Sequence, residues 1–262
     1  IQQPPFFDIT IGDVNSTVTE GEQITVNYTV ENTGESQGTQ DIIFSVNGTE
    51  ENSKSPLTLN EGDLASGTFT YVTTTGDAPT VQLNISSGDD AATRTTTVQE
   101  PAFFDVTVNN LNSTVTENDQ IAVDYTVENT GGVQDTQDID FIVNGTSKDT
   151  KSGLTLAGGE TVSNTFTYST TADDAPAVNL NVSSANDTAT RTITVQEPAL
   201  FDVTIDDAND TVIEDDRIAV DYTVENTGDL QDTQDIEFSV NGTSKATKSG
   251  LTLTAGETVS DT

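Results

Sequence analysis

The chain has 262 residues, 44 of them acidic and 8 basic, for a net charge of −36, and it contains no Cys, His, Met or Trp. Without Cys or His there is no disulfide, no thiolate or imidazole ligand for zinc, haem or an iron–sulfur cluster, and no His-based acid–base pair. The acidity excludes a basic nucleic-acid footprint and attraction to anionic lipid, and no apolar run approaches the ~20 residues of a membrane helix.

The apolar residues recur with a period of 97. Phe7, Phe104 and Phe201 correspond, as do Tyr28, Tyr125 and Tyr222. Residues 1–5 match the tail of a preceding copy, 6–101 and 102–198 are two repeats, and 199–262 is a partial third. Positions 102–165 and 199–262 share 47 identities in 64. The chain therefore reads as a slice of a longer array.

Taken in chain order, the second copy predicts seven strands. Strand A, 103–109, carries Phe104, Val106 and Val108 on one face. Strand B, 120–129, turns Ile121, Val123, Tyr125 and Val127 inward and Ala122, Asp124, Thr126 and Glu128 outward. Strand C, 137–144, buries Ile139, Phe141 and Val143 and ends in an Asn144-Gly145 turn, both residues tolerating φ > 0. A short strand holds Leu154 and Leu156, and strand E holds Val162, Phe166 and Tyr168. Strand F holds Val178, Leu180 and Val182, and strand G holds Ile193 and Val195. Period-2 alternation throughout means two antiparallel sheets on one core. The fold class is all-β: tandem immunoglobulin-like sandwiches of about seven strands each, joined head to tail.

The junction Gln196-Glu197-Pro198-Ala199 is short and lacks Gly, which predicts a stiff rod. The third copy lacks the counterpart of 166–198. Phe201, Val203, Tyr222, Val224 and Phe238 are expected to lose half their cover.

A charge this large repels itself at ordinary salt but is screened in molar salt. Asp outnumbers Glu 28 to 16, and only five Lys remain beside 48 Thr, a surface suited to holding water against salt. Ordered alternation argues against disorder. The expectation is a protein of an extreme halophile, a haloarchaeon or its virus.

Ten Asn-x-Ser/Thr sequons occur, and eight of them form series at the repeat period: Asn15, Asn112 and Asn209; Asn47, Asn144 and Asn241; Asn84 and Asn181. The first series lies in the A–B loop, the second in a turn, and the third faces outward on strand F, all candidate N-glycan positions. Asp206, Asp207, Asp210, Asp215 and Asp216, with the pairs Asp89-Asp90 and Asp173-Asp174, are dense, but none has the spacing of a calcium loop, so they read as solvated faces. Lys54, Lys151 and Lys248 read as surface residues in a polar stretch. Arg94 and Arg191 read as snorkelling at the core rim toward a carboxylate. No catalytic residue, cofactor site or metal site is marked.

Tyr125-Thr126-Val127-Glu128-Asn129-Thr130-Gly131, Phe141-Ile142-Val143-Asn144-Gly145, Leu154-Thr155-Leu156-Ala157-Gly158-Gly159-Glu160 and Thr165-Phe166-Thr167-Tyr168 together resemble the CARDB family, the cell-adhesion-related domain of bacteria also common in haloarchaeal surface proteins. The last strand departs from that pattern in being rich in Thr. The resemblance implies an extracellular, surface-attached role with no catalytic residues to carry over. The expected function is a structural or adhesive fibre or stalk, with partners among its own copies, neighbouring surface proteins and N-glycans. The alternatives are an array that binds a glycan or receptor, for which Phe6 and Phe103 are the outward aromatics, and a spacer for a catalytic domain elsewhere.

Overall fold

The computed structural model describes residues 2–262 and is built from β-strands, with a single 3₁₀ turn at Ala172–Asp174. By contact the chain forms two compact units. One reaches to Phe104 and takes in Glu128–Thr136 and Thr155–Thr161; the other comprises Asp105–Val127, Gln137–Leu154 and Val162–Thr262.

The first repeat has strands β1 (Phe7–Ile11), β2 (Thr17–Thr19), β3 (Gln23–Asn32), β4 (Gly38–Val46), β5 (Thr49–Leu59), β6 (Leu64–Val72), β7 (Thr80–Ser86) and β8 (Ala91–Gln99). They form a sheet β1-β3-β6 and a second sheet β2-β8-β7-β4-β5. In immunoglobulin letters these are A-B-E and A′-G-F-C-C′, so the strand order itself identifies an Ig-like sandwich. The alternation that the sequence displays sets the faces. In β3, Ile24, Val26 and Val30 are fully buried, while Gln23, Asn27 and Glu31 are exposed. Where a disulfide and Trp close an antibody domain, a stack of three rings stands here: Tyr28 lies 4.8 Å from Phe69, which lies 5.3 Å from Phe44 on its other side, all near parallel.

The second repeat runs β9 (Phe104–Val108), β10 (Thr114–Thr116), β11 (Gln120–Asn129), β12 (Asp135–Val143), β13 (Thr146–Leu156), β14 (Thr161–Ser169), β15 (Ala177–Ser183) and β16 (Thr188–Gln196), with the same two sheet orders. Tyr125, Phe166 and Phe141 form the same stack, at 4.8 and 5.1 Å. Burial, and then the Asp149 carboxylate, push the Tyr125 hydroxyl up to about 12, so it stays neutral at any ordinary pH.

Two elements differ from the sequence expectation. The stretch after Asn144-Gly145 is not a loop leading to a short strand but the eleven-residue β13, so Lys54 and Lys151 sit exposed on edge strands. Its Thr146–Gly153 part is exposed on both faces and shows no alternation to read. There is also an eighth strand, three residues long: β2 and β10 leave the first sheet and pair parallel with β8 and β16, Val18 opposite Val98 and Val115 opposite Val195.

The third repeat has β17 (Phe201–Ala208), β18 (Val220–Asn226), β19 (Asp232–Val240), β20 (Thr243–Leu253) and β21 (Thr258–Asp261), in a sheet β17-β18-β21 and a two-stranded sheet β19-β20. Among the described residues of this repeat no A′ strand forms. Instead β17 continues along β18 past a bulge at Ile205/Asp207, as far as Ala208 opposite Val220. Val203 is 47 % exposed and Ile205 64 %, against 5 % and 3 % for their counterparts Val106 and Val108. The expected loss of cover holds for Phe201, Val203, Tyr222 and Phe238 but not for Val224, which stays fully buried beside Leu253 and Asn226.

Candidate functional site

The feature common to all three repeats is a clasp built on the Asn-Thr-Gly element at the end of the B strand. Asn129 is fully buried, and its carboxamide is saturated. Oδ1 accepts from the backbone N–H of Phe103 (3.2 Å) and Gly131 (3.1 Å), while Nδ2 donates to the carbonyls of Val133 (2.8 Å) and Leu156 (3.1 Å). Asn32 does the same with Phe6, Gly34, Ser36 and Leu59, and Asn226 with Leu200, Gly228, Leu230 and Leu253. The next residue adds a bond, Thr130 N–H donating to the Phe103 carbonyl at 2.9 Å, with Thr33 and Thr227 bonded alike to Phe6 and Leu200.

The glycine of the element is required by a close approach. A Cβ on Gly131 would stand 1.9 Å from the Pro101 carbonyl oxygen, one on Gly228 1.9 Å from that of Pro198, and one on Gly34 2.1 Å from that of Pro4. Each linker proline therefore lies against a glycine that only the absence of a side chain admits. The residue before the proline is tied as well. The Glu100 carbonyl accepts from Gly132 N–H, and Gln99 Nε2 donates to the Gly132 carbonyl at 3.1 Å. The Glu197 carbonyl accepts from Asp229 N–H, and the Asp229 carboxylate accepts from Glu197 N–H at 3.0 Å. Sequence reading found the Asn-Thr-Gly motif but not its task, because the four partners of Asn129 are scattered from 103 to 156.

The acidic pairs also have structural work. Phe7 N–H donates to Asp89 and Ile9 N–H to Asp90, and Val106 N–H donates to Asp187 at 2.9 Å, so carboxylates of the F–G turn cap the otherwise unpaired edge of strand A. The Val106 N–H, and then the Thr188 N–H, hold the Asp187 carboxyl below its ordinary value. Asp174 is buried and accepts from the Tyr168 hydroxyl and Thr171 N–H. Among the described residues no three carboxylates come together as a cation site. The two arginines reach a carbonyl rather than a carboxylate: Arg191 donates to the Val108 carbonyl at 3.0 Å and Arg94 to that of Ile11 at 3.4 Å, where strand A leaves its sheet.

The sequons fall into three environments. Asn15, Asn112 and Asn209 are exposed, Asn15 accepting weakly from Thr25 N–H and Asn209 from Ala219 N–H. Asn47, Asn144 and Asn241 are exposed at the hairpin turn with φ near 50°, and Oδ1 of the first two accepts from the backbone N–H of Gln82 and Asn179. Asn84 and Asn181 are half-buried on the outer face of the F strand. Asn84 donates to Ser45, and Asn181 Oδ1 has no hydrogen-bond partner among the described residues. Phe6 and Phe103 are each 43 % exposed, and Leu200 is 64 %. Among the described residues no helix is long and apolar enough to cross a membrane.

No protein-family model and no curated protein matches the chain. Among solved structures, it is 16 % identical to the titin I67–I69 three-Ig fragment, covering 98 % of this chain and 87 % of that one, with a TM-score of 0.36. It is 12 % identical to the ICAM-5 D1–D4 ectodomain fragment, covering 97 % and 74 %, with a TM-score of 0.32. It is 12 % identical to red sea bream transglutaminase, covering 72 % of this chain but spanning only 31 % of that one, with a TM-score of 0.30. The chain is a tandem of Ig-like sandwiches by its own strand order, which these superpositions do not need to carry.

Proposed function

We propose that the chain is a stretch of an extracellular stalk or adhesive fibre on the surface of an extreme halophile, cell or virion, of the kind its CARDB-like motifs suggest, and that it performs no catalysis. The observation that supports this reading is the threefold clasp. Each linker proline is seated on a glycine, and each linker backbone is bonded to a saturated, buried Asn. A linker held this way resists bending, which is what a spacer needs and a set of freely moving binding modules does not.

The carboxylate excess supports the halophile part. Among the described residues one ion pair is present, Lys248 to Asp261 at 2.7 Å, leaving most acidic charge to be screened by salt rather than by partners. In this reading the exposed sequons at Asn47, Asn144 and Asn241 carry N-glycans. The chain's copies associate along β5 and β13, whose outer edges are unpaired and carry few charges of mixed sign, Glu50, Glu51 and Lys54 on the first and Lys148, Asp149 and Lys151 on the second.

Small-angle scattering in molar KCl tests the stalk. Sandwiches of ~40 Å each predict a maximum dimension near ~100 Å with a rod-like profile. Asn129→Ala is expected to broaden that profile toward a bent ensemble. A compact wild-type particle of ~60 Å, or a profile unchanged by loss of the clasp, would remove the basis of the reading.

A further inference from the structure

All five lysines of the chain lie on one kind of strand. Lys54 is on β5, Lys148 and Lys151 are on β13, and Lys245 and Lys248 are on β20, the C′ strands of the three repeats. Only three of the 44 acids share those strands, Glu50 and Glu51 on β5 and Asp149 on β13. In both complete repeats the C′ strand is the last of its sheet, so its outer backbone edge is unpaired, and its first eight residues are exposed. Lysine on such an edge ordinarily discourages pairing with another edge. Here the edges do not all carry the same sign.

β5 holds two carboxylates against one ammonium, and β13 two ammoniums against one carboxylate. The reversal falls at equivalent positions, since Glu51 corresponds to Lys148 and Tyr71 to Tyr168. The Lys148 ammonium lies 5.6 Å from the centre of the Tyr168 ring. The Tyr71 hydroxyl is pushed up by burial first, then by the bond and charge of Asp77, and last by Glu51, with Thr74 acting the other way. Glu51 and Lys148 thus stand at the same place, each beside the tyrosine of its own repeat, with opposite charge. β20 is basic like β13: Lys245 takes the place of Lys148, while Lys248 is already paired with Asp261 at 2.7 Å.

These signs decide which edges suit one another. β5 against β5 carries a surplus of two negative charges and β13 against β13 a surplus of two positive ones, whereas β5 against β13 cancels. Like charges opposite one another on adjacent strands destabilise the pair, and opposite ones stabilise it. A Debye length of ~3 Å in molar salt removes the repulsion between whole chains but leaves charges in direct contact interacting. An antiparallel register with Lys54 opposite Asp149 sets Asn52 opposite Lys151, Ser55 opposite Lys148 and Glu50 opposite Gly153, so no like charges face each other.

Resting on the lateral association put forward above, we propose that it is heterotypic: the β5 edge of one copy pairs with the β13 edge of a second copy. Main-chain bonds between the edges give affinity, and the charges reject β5 with β5 and β13 with β13. The contact is heterologous, so each pair leaves one β5 and one β13 edge for each other or for further copies.

Sedimentation velocity of the full 262-residue chain in molar KCl, with circular dichroism to confirm folding, tests this with two variants. The first, Glu50→Lys with Glu51→Lys, makes β5 basic. The second, Lys148→Glu with Lys151→Glu and Lys245→Glu, makes β13 acidic and removes the substitute on β20. The wild type is expected to associate as its concentration rises, and each variant alone about tenfold more weakly. An equal mixture of the two variants is expected to recover the wild-type association, because the basic β5 of one then meets the acidic β13 of the other. That recovery cannot come from misfolded chains. Undiminished association of the first variant would mean that β13 pairs with itself or that another surface is used, and would overturn the proposal. So would a mixture no more associated than its components. A wild type that stays monomeric at every concentration would remove the lateral association as well, while the rod measured by scattering would stand.

Discussion

The second and third repeats carry the same alternating residues and part company in what lies over them. Ile139 and Phe141 are fully buried, and Ile121 is 2 % exposed. Their counterparts Ile236 and Phe238 are half-buried, and Ile218 is 49 % exposed. At the linker end the two repeats agree: Asn129 and Asn226, Val127 and Val224 are all fully buried. Alternation therefore assigns a face to each residue, while burial of that face is supplied from elsewhere, at the far end by strands F and G and at the near end by the clasp. The A′ strand makes the same point. Its residues fold onto G where G exists, and strand A runs on along B where it does not.

The sharpest way to break this comparison is to remove the salt. Diluting molar KCl to ~10 mM lengthens the Debye length from ~3 to ~30 Å and leaves the acidic surface unscreened. Residues 201–262, with the smaller buried core, are expected to lose their β structure first, and 7–196 only at lower salt. Residue-resolved hydrogen exchange along the dilution series checks the order. Simultaneous loss would mean that the third repeat draws its stability from the second, and no loss at all would sink the halophile reading.

Next in size is a pair of identical substitutions. Phe141→Ala removes an outer ring of a closed stack and should cost ~3–5 kcal/mol, as cavity-forming Phe truncations do. Phe238→Ala removes the corresponding ring from a half-buried position and should cost ~1 kcal/mol or less. Denaturant midpoints followed separately for the two repeats decide this. Equal costs would show that Phe238 is as fully covered in solution as Phe141.

The clasp should give the opposite result, since it is intact in both repeats. Asn129→Ala and Asn226→Ala each strand four backbone groups, of which some recover water. About 2–3 kcal/mol is expected from each, and the two values should agree within ~0.5 kcal/mol. A much smaller value for Asn226→Ala would place the Val224 end of the third repeat among the parts that depend on F and G.

How much of this was legible beforehand follows the same division. Strands A, B, C, E, F and G could be read because one face is buried, as in Ile121, Val123, Tyr125 and Val127. Of the C′ strand only the end with Leu154 and Leu156 could be read, since Thr146–Gly153 is wetted on both faces and its residues bear no periodic mark. A′ is three residues long, too short for a period. Asn129-Thr130-Gly131 stood out as a motif, but its reason is a carbonyl of Pro101 and two partners distant in sequence, Phe103 and Leu156. The reach of Arg191 to the Val108 carbonyl likewise depends on where strand A leaves its sheet, which no local pattern encodes.

The smallest effect expected is at Asp187, on the F–G turn of the second repeat. Its carboxyl is held below the ordinary value of 3.8 chiefly by the Val106 N–H and then by the Thr188 N–H, with partial burial acting the other way. A depressed carboxylate stabilises the fold above its unfolded value, and that contribution fades as pH falls through the folded value. The rest of the surface pulls oppositely, because protonating the other carboxylates relieves repulsion on a chain of net charge −36. The two are separated by comparing wild type with Asp187→Asn in molar KCl, where the general repulsion is screened and common to both. The thermal midpoint of the second repeat is expected to be modestly lower in the variant above ~pH 4, and the gap to close as the pH is taken below the ordinary carboxylate range. The third repeat should not respond at any pH. A gap that persists undiminished in strong acid would mean that the bond to Val106 does not depend on the charge of Asp187, and that the edge of strand A is held by shape alone.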